Sequence, residues 1–379
     1  AADVARVLDD HALQAQAQAE RRKAGGFAAS HIVAVRWGGR DVVNSFGVQA
    51  RLDRMAPVGL YNTRARAIWN TVREDDVTQR SVSLWAQNEI SWTDRVRSII
   101  GLRGEAYNIS VDSSLAANSG QARDQMVMPK LALVFAPWNK TELYLNYGHS
   151  FHSNDARGTT LHVDPNDPGT PVEKVKPLVR TRGLEAGLRT EIVPGWQSTV
   201  SLWQLDAASE LRFVGDAGTT EASRPSRRHG VEWNNLYTVN RWLALDADLA
   251  WSYARFRDSA PEGNYIPGAV TTTANLGITL DQMGPWFGAL RLRYFGPRPL
   301  NEDKAVRSAG STVVNLRAGY KFSRQTQLTM DVYNLLNRKA NDIEYWYDSQ
   351  LRGEAAPVFD RHIHPTEPRT VRVTLTHRF

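Results

Sequence analysis

The sequence of 379 residues contains no cysteine, which excludes disulfide bonds, thiolate metal sites and cysteine nucleophiles. No apolar run approaches the roughly eighteen residues that a helical membrane span requires, and 23% of the residues are charged. Glycine-rich phosphate loops, Ser-His-Asp arrangements and zinc motifs are missing as well. These absences exclude a helical membrane protein and leave no candidate catalytic residue, so we predict that the protein is not an enzyme.

The basic residues are dispersed and do not form a single patch. The net charge is +6, but the arginines stand in alternating segments such as "RLRYF" and "VRVTLTHRF". A surface that follows a nucleic-acid backbone needs clustered cations, so we expect no nucleic-acid partner. The twelve Trp and twelve Tyr are more informative, because their amphipathic rings are favoured where hydrocarbon meets water.

Hydrophobic residues recur with a period of two over unusually long segments. In "LALDADLAWSY", alternate residues from Leu243 to Tyr253 are mostly large and apolar, whereas Asp246 and Asp248 share the other face. Globular strands average five or six residues, while tilted strands that cross a bilayer have about nine to eleven. The pattern therefore predicts membrane-spanning strands with one apolar face and one wet face.

The connections between these strands are of two alternating kinds. Tight turns are predicted at 92–95, 137–140, 194–196, 239–242, 283–286 and 322–325, and long polar loops at 112–126, 152–178, 215–223, 257–266, 299–310 and 338–368. Short turns on one side and long loops on the other are typical of outer-membrane barrels.

An aromatic residue stands beside nearly every tight turn. The set is Trp92, Trp138, Trp196, Trp242 and Trp286, with Phe322 at the last turn. A single tryptophan of this kind is more simply a core residue of a soluble sandwich. Six aromatics at the same end of successive hairpins instead predict an interfacial girdle.

We predict an all-β fold, a transmembrane antiparallel up-and-down β-barrel, with residues 41–379 as the barrel domain. The first 40 residues, rich in Ala and Gln, are expected to form a short helical or disordered segment outside the barrel. Counting gives about 14–16 strands, including separate strands at 43–55, 58–74 and 78–92. Bacterial barrels have even strand numbers, so fifteen strands predict an incomplete barrel.

Several segments resemble the TonB-dependent outer-membrane receptors. The closest are "MDVYNLLNRK" at 330–339 and the terminal "TVRVTLTHRF", followed by "PKLALVFAPWNKTELYLNYGHSFHSNDARG" at 129–158 and "EYWYDSQLRGE" with "HPTEPRTVRV" within 344–373. The resemblance covers about residues 45–379. It implies a location in the cell outer membrane of a Gram-negative bacterium and contacts with lipid, lipopolysaccharide and the barrel-assembly machinery.

The resemblance further implies uptake of a scarce ligand, such as a siderophore-like compound, a metal complex or a saccharide, with energy from the TonB system. Family members have a 22-stranded barrel closed by an amino-terminal plug that carries a TonB box. Neither feature is recognisable here, so we expect the sequence to represent about the carboxy-terminal two-thirds of such a barrel. TonB would act only through a plug absent from this sequence.

The last strand resembles the signal that the barrel-assembly machinery reads. Val371, Val373 and Leu375 alternate on one face, and Phe379 supplies the final aromatic. His377 departs from the pattern, at a position where the class prefers a more hydrophobic residue.

Ligand contacts are expected on the long loops, because binding groups concentrate on loops that a rigid scaffold holds. The candidates are His152, Asp155, Arg157, Tyr345, Trp346, Tyr347, His362 and His364. Tyr345, Trp346 and Tyr347 are either an aromatic platform for a ligand or a short strand above the membrane.

We expect no metal site and no cofactor. Two histidine groups, 149–155 and 360–367, suggest metal ligation, but neither supplies a recognisable third and fourth ligand. The alternatives to a receptor are a passive outer-membrane channel and a soluble β binding module.

Overall fold

The computed structural model describes residues 14–64, 67–214, 219–349 and 354–379, which are almost entirely antiparallel β-strand. Fifteen of the strands form one sheet, in which each strand pairs with the next strand of that sheet along the chain. Its strands are β1 Gln14–Trp37, β2 Arg40–Arg64, β3 Ala67–Thr93, β4 Val96–Ser113, β5 Gly120–Trp138, β6 Thr141–Ser153, β7 Leu178–Thr190, β8 Trp196–Ala207, β11 Ser226–Thr238, β12 Leu243–Phe256, β13 Thr272–Met283, β14 Trp286–Phe295, β15 Ser311–Lys321, β16 Thr326–Tyr333 and β19 Thr370–His377.

Two hairpins lie outside this sheet. One joins β9 Leu211–Val214 to β10 Thr219–Ala222, and the other joins β17 Asn341–Ser349 to β18 Val358–Pro365. Two short 3₁₀ helices, Ala116–Asn118 and Ala156–Thr159, follow β4 and β6. Among the described residues β1 and β19 do not pair with each other, so the sheet is not closed. No helix in the described part of the chain has the length and apolar character needed to span a membrane.

The alternation of tight turns and long connections agrees with the sequence prediction. The six predicted turns lie between β3 and β4, β5 and β6, β7 and β8, β11 and β12, β13 and β14, and β15 and β16. Long connections occupy 154–177, 208–225, 257–271, 296–310 and 334–369. The predicted loop at 112–126 is shorter than expected, because β5 already begins at Gly120.

The prediction of a helical or disordered segment at 1–40 is wrong for residues 14–37, which form strand β1. Helix propensity is a weak prior that tertiary pairing overrides, and β1 pairs with β2 along nearly its whole length. The Gln and Ala residues at 14–19 alternate with the period of a strand. Gly38 and Gly39, with φ of 57° and 79°, form the two-residue turn that joins the strands. Residues 1–13 lie outside the described residues.

The predicted separate strand at 58–74 is also wrong. Residues 58–64 are the end of β2, and 67–74 are the beginning of β3. The sequence predicts three strands here where the structure has two, β2 and β3. The reason is that register shifts near Met55 and Leu60 interrupt the apolar alternation. The omission of β1 compensates for this error, so the count of about fifteen sheet strands is confirmed.

The strands carry different chemistry on their two faces. On β3 and β4, Val82, Leu84 and Leu102 share one face and are at least half exposed. Arg103 and Glu105 lie on the opposite face and form an ion pair at 2.8 Å. A sheet with an exposed apolar face and a charged face fits a wall with lipid on one side and water on the other.

The chain divides into two compact units, each with its own small apolar core. The first unit contains residues up to 133 with 146–183 and 206–225, and the second contains 134–145, 184–205 and 226–379. In the first unit, Met55, Val77, Ile109 and Val111 pack around Ala156 of the connection after β6. In the second unit, Ala254, Phe256 and Ile266 form a core beneath the connection after β12. Each core fixes a long loop onto its strands.

Candidate ligand-binding surfaces

The charged face of the second unit presents a row of ion pairs. Arg291 pairs with Asp246, Arg317 Nε donates to Asp331 Oδ1 at 2.6 Å, and Lys321 Nζ donates to Asp281 Oδ1 at 2.8 Å. All of these residues except Asp246 line, with neighbouring side chains, a concavity of about 520 Å³. Such paired charges suit the wetted lining of a lumen, in agreement with the wet face that the sequence pattern predicts for Asp246.

Glycine at position 277 makes room for the first of these pairs. A Cβ atom there would collide with Arg291 and with the carboxylate of Asp246. The arginines of this row were not among the sequence candidates. Only their position in the sequence could have indicated them, because Arg291 and Arg317 lie on the polar face of strands whose other face is apolar.

The β17–β18 hairpin is anchored at its base to the connection between β14 and β15. Glu344 is buried, forms an ion pair with Arg361 at 3.2 Å, and accepts a hydrogen bond from the backbone N–H of Ala309. Arg293 pairs with Asp342, and Arg361 donates to the carbonyl of Arg307. These contacts connect the base of the hairpin to that connection and to β14.

The register of the hairpin sorts the sequence candidates onto two faces. Tyr345 is opposite His362, and Ile343 is opposite His364, so Tyr345, Tyr347 and both histidines share one face. The ring of Tyr347 stacks on that of His362 with centroids 3.7 Å apart, while Tyr345 is 44% exposed. Trp346 lies on the other face and stacks on Phe359. The structure shows the predicted strand, as part of a short hairpin with an aromatic face. The role of this face as a platform for a ligand stays a prediction.

Asp155 and Arg157 engage each other. Arg157 Nη2 donates to Asp155 Oδ2 at 2.7 Å, and the Asp155 carboxylate also accepts the backbone N–H of Arg157, which caps the short helix 156–159. Burial alone would raise the pKa of Asp155, but the hydrogen bonds and charge of Arg157 outweigh burial and hold the pKa below its ordinary value. Their ligand-contact role stays a prediction, since their charges already have partners.

The histidines near the end of β6 do not form a metal site among the described residues. His149 contacts the Tyr147 hydroxyl at 2.9 Å and the Arg180 guanidinium at 3.0 Å. The Nε2 atom of His152 is buried and has no hydrogen-bond partner in the described part of the chain. We retain His152 as a predicted ligand-contact residue.

The tryptophans beside the tight turns are exposed and do not belong to a core. Trp92, Trp138, Trp196, Trp242 and Trp286 have between 38% and 63% of their surface accessible. This exposure disfavours the alternative of buried tryptophans in a soluble sandwich. Their role as a girdle stays a prediction that the exposure supports.

The terminal strand continues the apolar face of its neighbour. Val371 pairs with Val332, Val373 with Met330, and Leu375 with Leu328. All three β19 residues are more than half exposed, and Phe379 follows the strand fully exposed. The rings of His377 and Phe379 are in contact, with their centroids 4.9 Å apart. This contact accommodates His377, which is the polar residue in the row.

Long antiparallel up-and-down strands, an exposed apolar face, an opposed charged face and long loops on one side define the wall of a transmembrane β-barrel. The family model described as TonB dependent receptor-like, beta-barrel matches residues 9–335. The chain therefore belongs to the TonB-dependent receptor β-barrel family, whose members are outer-membrane receptors and not enzymes. This confirms the predicted fold class and location.

Similar solved structures agree with this assignment. The ferric-catecholate import receptor Fiu from E. coli K12 superposes with a TM-score of 0.73 at 15% identity, over 95% of this chain and 55% of its own. The ferric citrate transporter FecA gives 0.72 at 15% identity, over 96% and 55%. The ferric yersiniabactin uptake receptor FyuA from Yersinia pestis gives 0.71 at 13% identity, over 96% and 55%.

At these identities the likeness shows the fold alone. The chain spans about half the length of each of these receptors. The search of curated proteins gave no match.

Proposed function

We propose that this chain forms the barrel wall of an outer-membrane receptor that takes up a ferric chelate with energy from the TonB system. The family supports the receptor assignment. The receptors Fiu, FecA and FyuA are each named for a ferric ligand. Two different kinds of protein surface, an aromatic hairpin face and a charged inner face, support the steps of capture and passage.

The Tyr and His face of the β17–β18 hairpin is the observation that carries the capture step. Aromatic rings offer large, rigid contact area for planar ligand groups, and imidazoles add hydrogen bonds. Tyr345 and His364 are exposed on this face, while Glu344 and Arg361 hold the hairpin from the other. A preorganised face loses little entropy on binding.

The charged inner face supports the passage step. Its arginines and aspartates are mutually paired, so a passing anionic chelate meets a polar but nearly neutral surface. A surface of this kind keeps the lumen wet without trapping the ligand through a strong field of one sign. A saccharide is the second ligand class that such a surface would admit.

Uptake in paired strains tests the proposal. The gene that encodes this chain is expressed in cells that lack their own ferric receptors, with and without TonB, and radiolabelled iron is supplied as catecholate, hydroxamate and citrate chelates. We expect TonB-dependent accumulation of at least one chelate. Equal entry with and without TonB would instead establish a passive channel, and accumulation of a labelled oligosaccharide alone would contradict the ferric assignment.

The terminal strand supports a second partner, the barrel-assembly machinery. The exposed row of Val371, Val373, Leu375 and Phe379 presents a strand edge with a final ring. Deletion of Phe379 is expected to lower the amount of folded protein in the outer membrane without changing synthesis, as measured by heat-modifiable gel migration. Truncation of the neighbouring exposed residue Arg378 to Ala, which lies outside the apolar row, is the matched control. Unchanged folded levels after the deletion would refute this role.

A further inference from the structure

The outward face of β12 changes character along its length. Leu245, Leu249 and Trp251 are followed on the same register by Tyr253 and Arg255. Nine residues separate Trp242, beside the tight turn, from Trp251. At about 3.4 Å per residue and a tilt of about 40°, these residues rise about 23 Å, close to the ~25 Å apolar band of such barrels. Arg255 then lies about 10 Å higher, at the depth of lipid headgroups.

Two tyrosines hold the Arg255 guanidinium on this face. Its central carbon is 3.8 Å from the ring centroid of Tyr253 and 3.4 Å from that of Tyr265. Tyr265 and Arg255 are directly opposite each other in an isolated antiparallel β-bridge, so both side chains lie on the same face. A stacked guanidinium is fixed in orientation. Arg255 Nη1 donates to the carbonyl of Ala254 at 2.7 Å, which holds the group in place further.

A second cation reaches the same place from the connection between β14 and β15. Lys304 Nζ lies 3.3 Å from the Tyr265 hydroxyl. The hydrogen bond from Lys304, together with the charge of Arg255, lowers the pKa of Tyr265 below its ordinary value. With Arg307, these residues line a small pocket of about 120 Å³. The pocket is too small for a drug-sized ligand, which needs about 300 Å³ or more.

The cations of this pocket lack the carboxylates that their counterparts on the inner face possess. Among the described residues, none of the ion pairs involves Arg255, Lys304 or Arg307, whereas Arg291, Arg317 and Lys321 each pair with an aspartate. Like charges on one face favour an external anion.

We propose that Arg255, Tyr265 and Lys304 form a binding pocket for the phosphate group of an outer-leaflet lipid headgroup. Four observations match this ligand. Arg255 lies on the outward face and above Trp251, the pocket is small, and its cations form none of the ion pairs of the described residues. Arg255 donates to the phosphate oxygens through N–H groups that do not bond the Ala254 carbonyl, and Lys304 supplies a point charge. The pocket is separate from the inner face that the proposed uptake uses.

Binding of a phosphorylated glycolipid to the whole chain, folded in uncharged detergent, tests this proposal. The probes are a bis-phosphorylated lipopolysaccharide, the same lipid after enzymatic dephosphorylation, and inorganic phosphate. We expect the dephosphorylated lipid and the R255Q/K304Q variant each to show about tenfold weaker binding. Millimolar inorganic phosphate is expected to compete poorly, since it lacks the acyl chains that lie against Trp251.

The matched control is Arg324→Gln, which removes an exposed arginine from the tight turn between β15 and β16. Heat-modifiable migration verifies that each variant is folded, and Lys304→Gln alone, which changes only a loop residue, replaces the double variant if that fails to fold. Unchanged affinity in the pocket variants would overturn the proposal. Equal binding of the dephosphorylated lipid, or tight binding of inorganic phosphate alone, would overturn it as well.

Discussion

Two long connections show opposite uses of polar side chains. In the connection 154–177 of the first unit, Asn154 donates to the carbonyl of Lys176, and Asp155 pairs with Arg157. The connection 334–369 of the second unit buries Glu344 at its base but leaves Tyr345 and His364 exposed. The first connection uses its polar groups to fix its own conformation. The second is fixed at one end and keeps a chemically rich face available, so we assign ligand capture to it.

The largest expected effect concerns the anchor of the first connection. Asn118 is fully buried, donates to the carbonyl of Val163, and accepts the backbone N–H groups of His162 and Val163. Asn118→Ala removes three hydrogen bonds and takes the partner from partly buried backbone groups of His162 and Val163. We expect a local loss of about 3 kcal/mol and rapid cleavage near residues 160–170 in limited proteolysis.

The exposed Asn166 of the same connection provides the control. Asn166→Ala is expected to leave the cleavage rate unchanged, because only its backbone N–H is hydrogen-bonded. Equal protection in the Asn118 variant would show that the connection is held by apolar packing around Ala156 alone.

The next effect concerns the base of the β17–β18 hairpin. Glu344→Ala removes the ion pair with Arg361 and the acceptor for the Ala309 N–H. We expect a local loss of about 2 kcal/mol, because the Arg361 guanidinium and the Ala309 N–H both lose the buried carboxylate that holds them. Hydrogen exchange of amides 341–349 measures it. The exposed Asp348→Ala is the control, and protection that does not change in the Glu344 variant would contradict the proposed anchor.

The smallest effect is a pH dependence in the first connection. The pKa of Asp155 is lower in the folded protein, so its contribution to stability is present above the ordinary pKa of 3.8 and is lost as the pH falls through the folded value. Asp155→Asn is expected to cost about 1 kcal/mol at neutral pH and nothing in acid. Proteolysis rates of both proteins, measured from pH 7 downward until the difference between them no longer changes, give this dependence. A cost that stays constant down to acid unfolding would mean that the carboxylate charge is irrelevant.

Much of the wall was predictable from the sequence, because a period of two survives wherever one face meets lipid. The tight turns, the exposed tryptophans and the terminal row from Val371 to Leu375 all follow from that period. Strand β1 was missed because its Ala and Gln residues have high intrinsic helix propensity, which outweighed their alternation at 14–19; its pairing with β2 reveals it.

The sites were less predictable, because they depend on register between distant segments. The sequence named Tyr345, Trp346 and His362 together, but only strand pairing separates Trp346 from the other two. The pocket of Arg255 and Lys304 joins residues from two different segments of the chain, so no local pattern indicates it. In the sequence, the pocket is indicated only by Arg255, which follows the alternating apolar residues of β12.

Equilibrium binding of a ferric chelate to hairpin variants tests the central comparison most directly. The chelate is the one that accumulates in the uptake experiment, and binding is measured on intact cells without TonB so that transport does not contribute. We predict that Tyr345→Ala combined with His364→Ala weakens binding about tenfold, whereas Trp346→Ala on the opposite face changes it less than about twofold. Equal losses in both variants, or no loss in either, would contradict the assignment of ligand capture to this face.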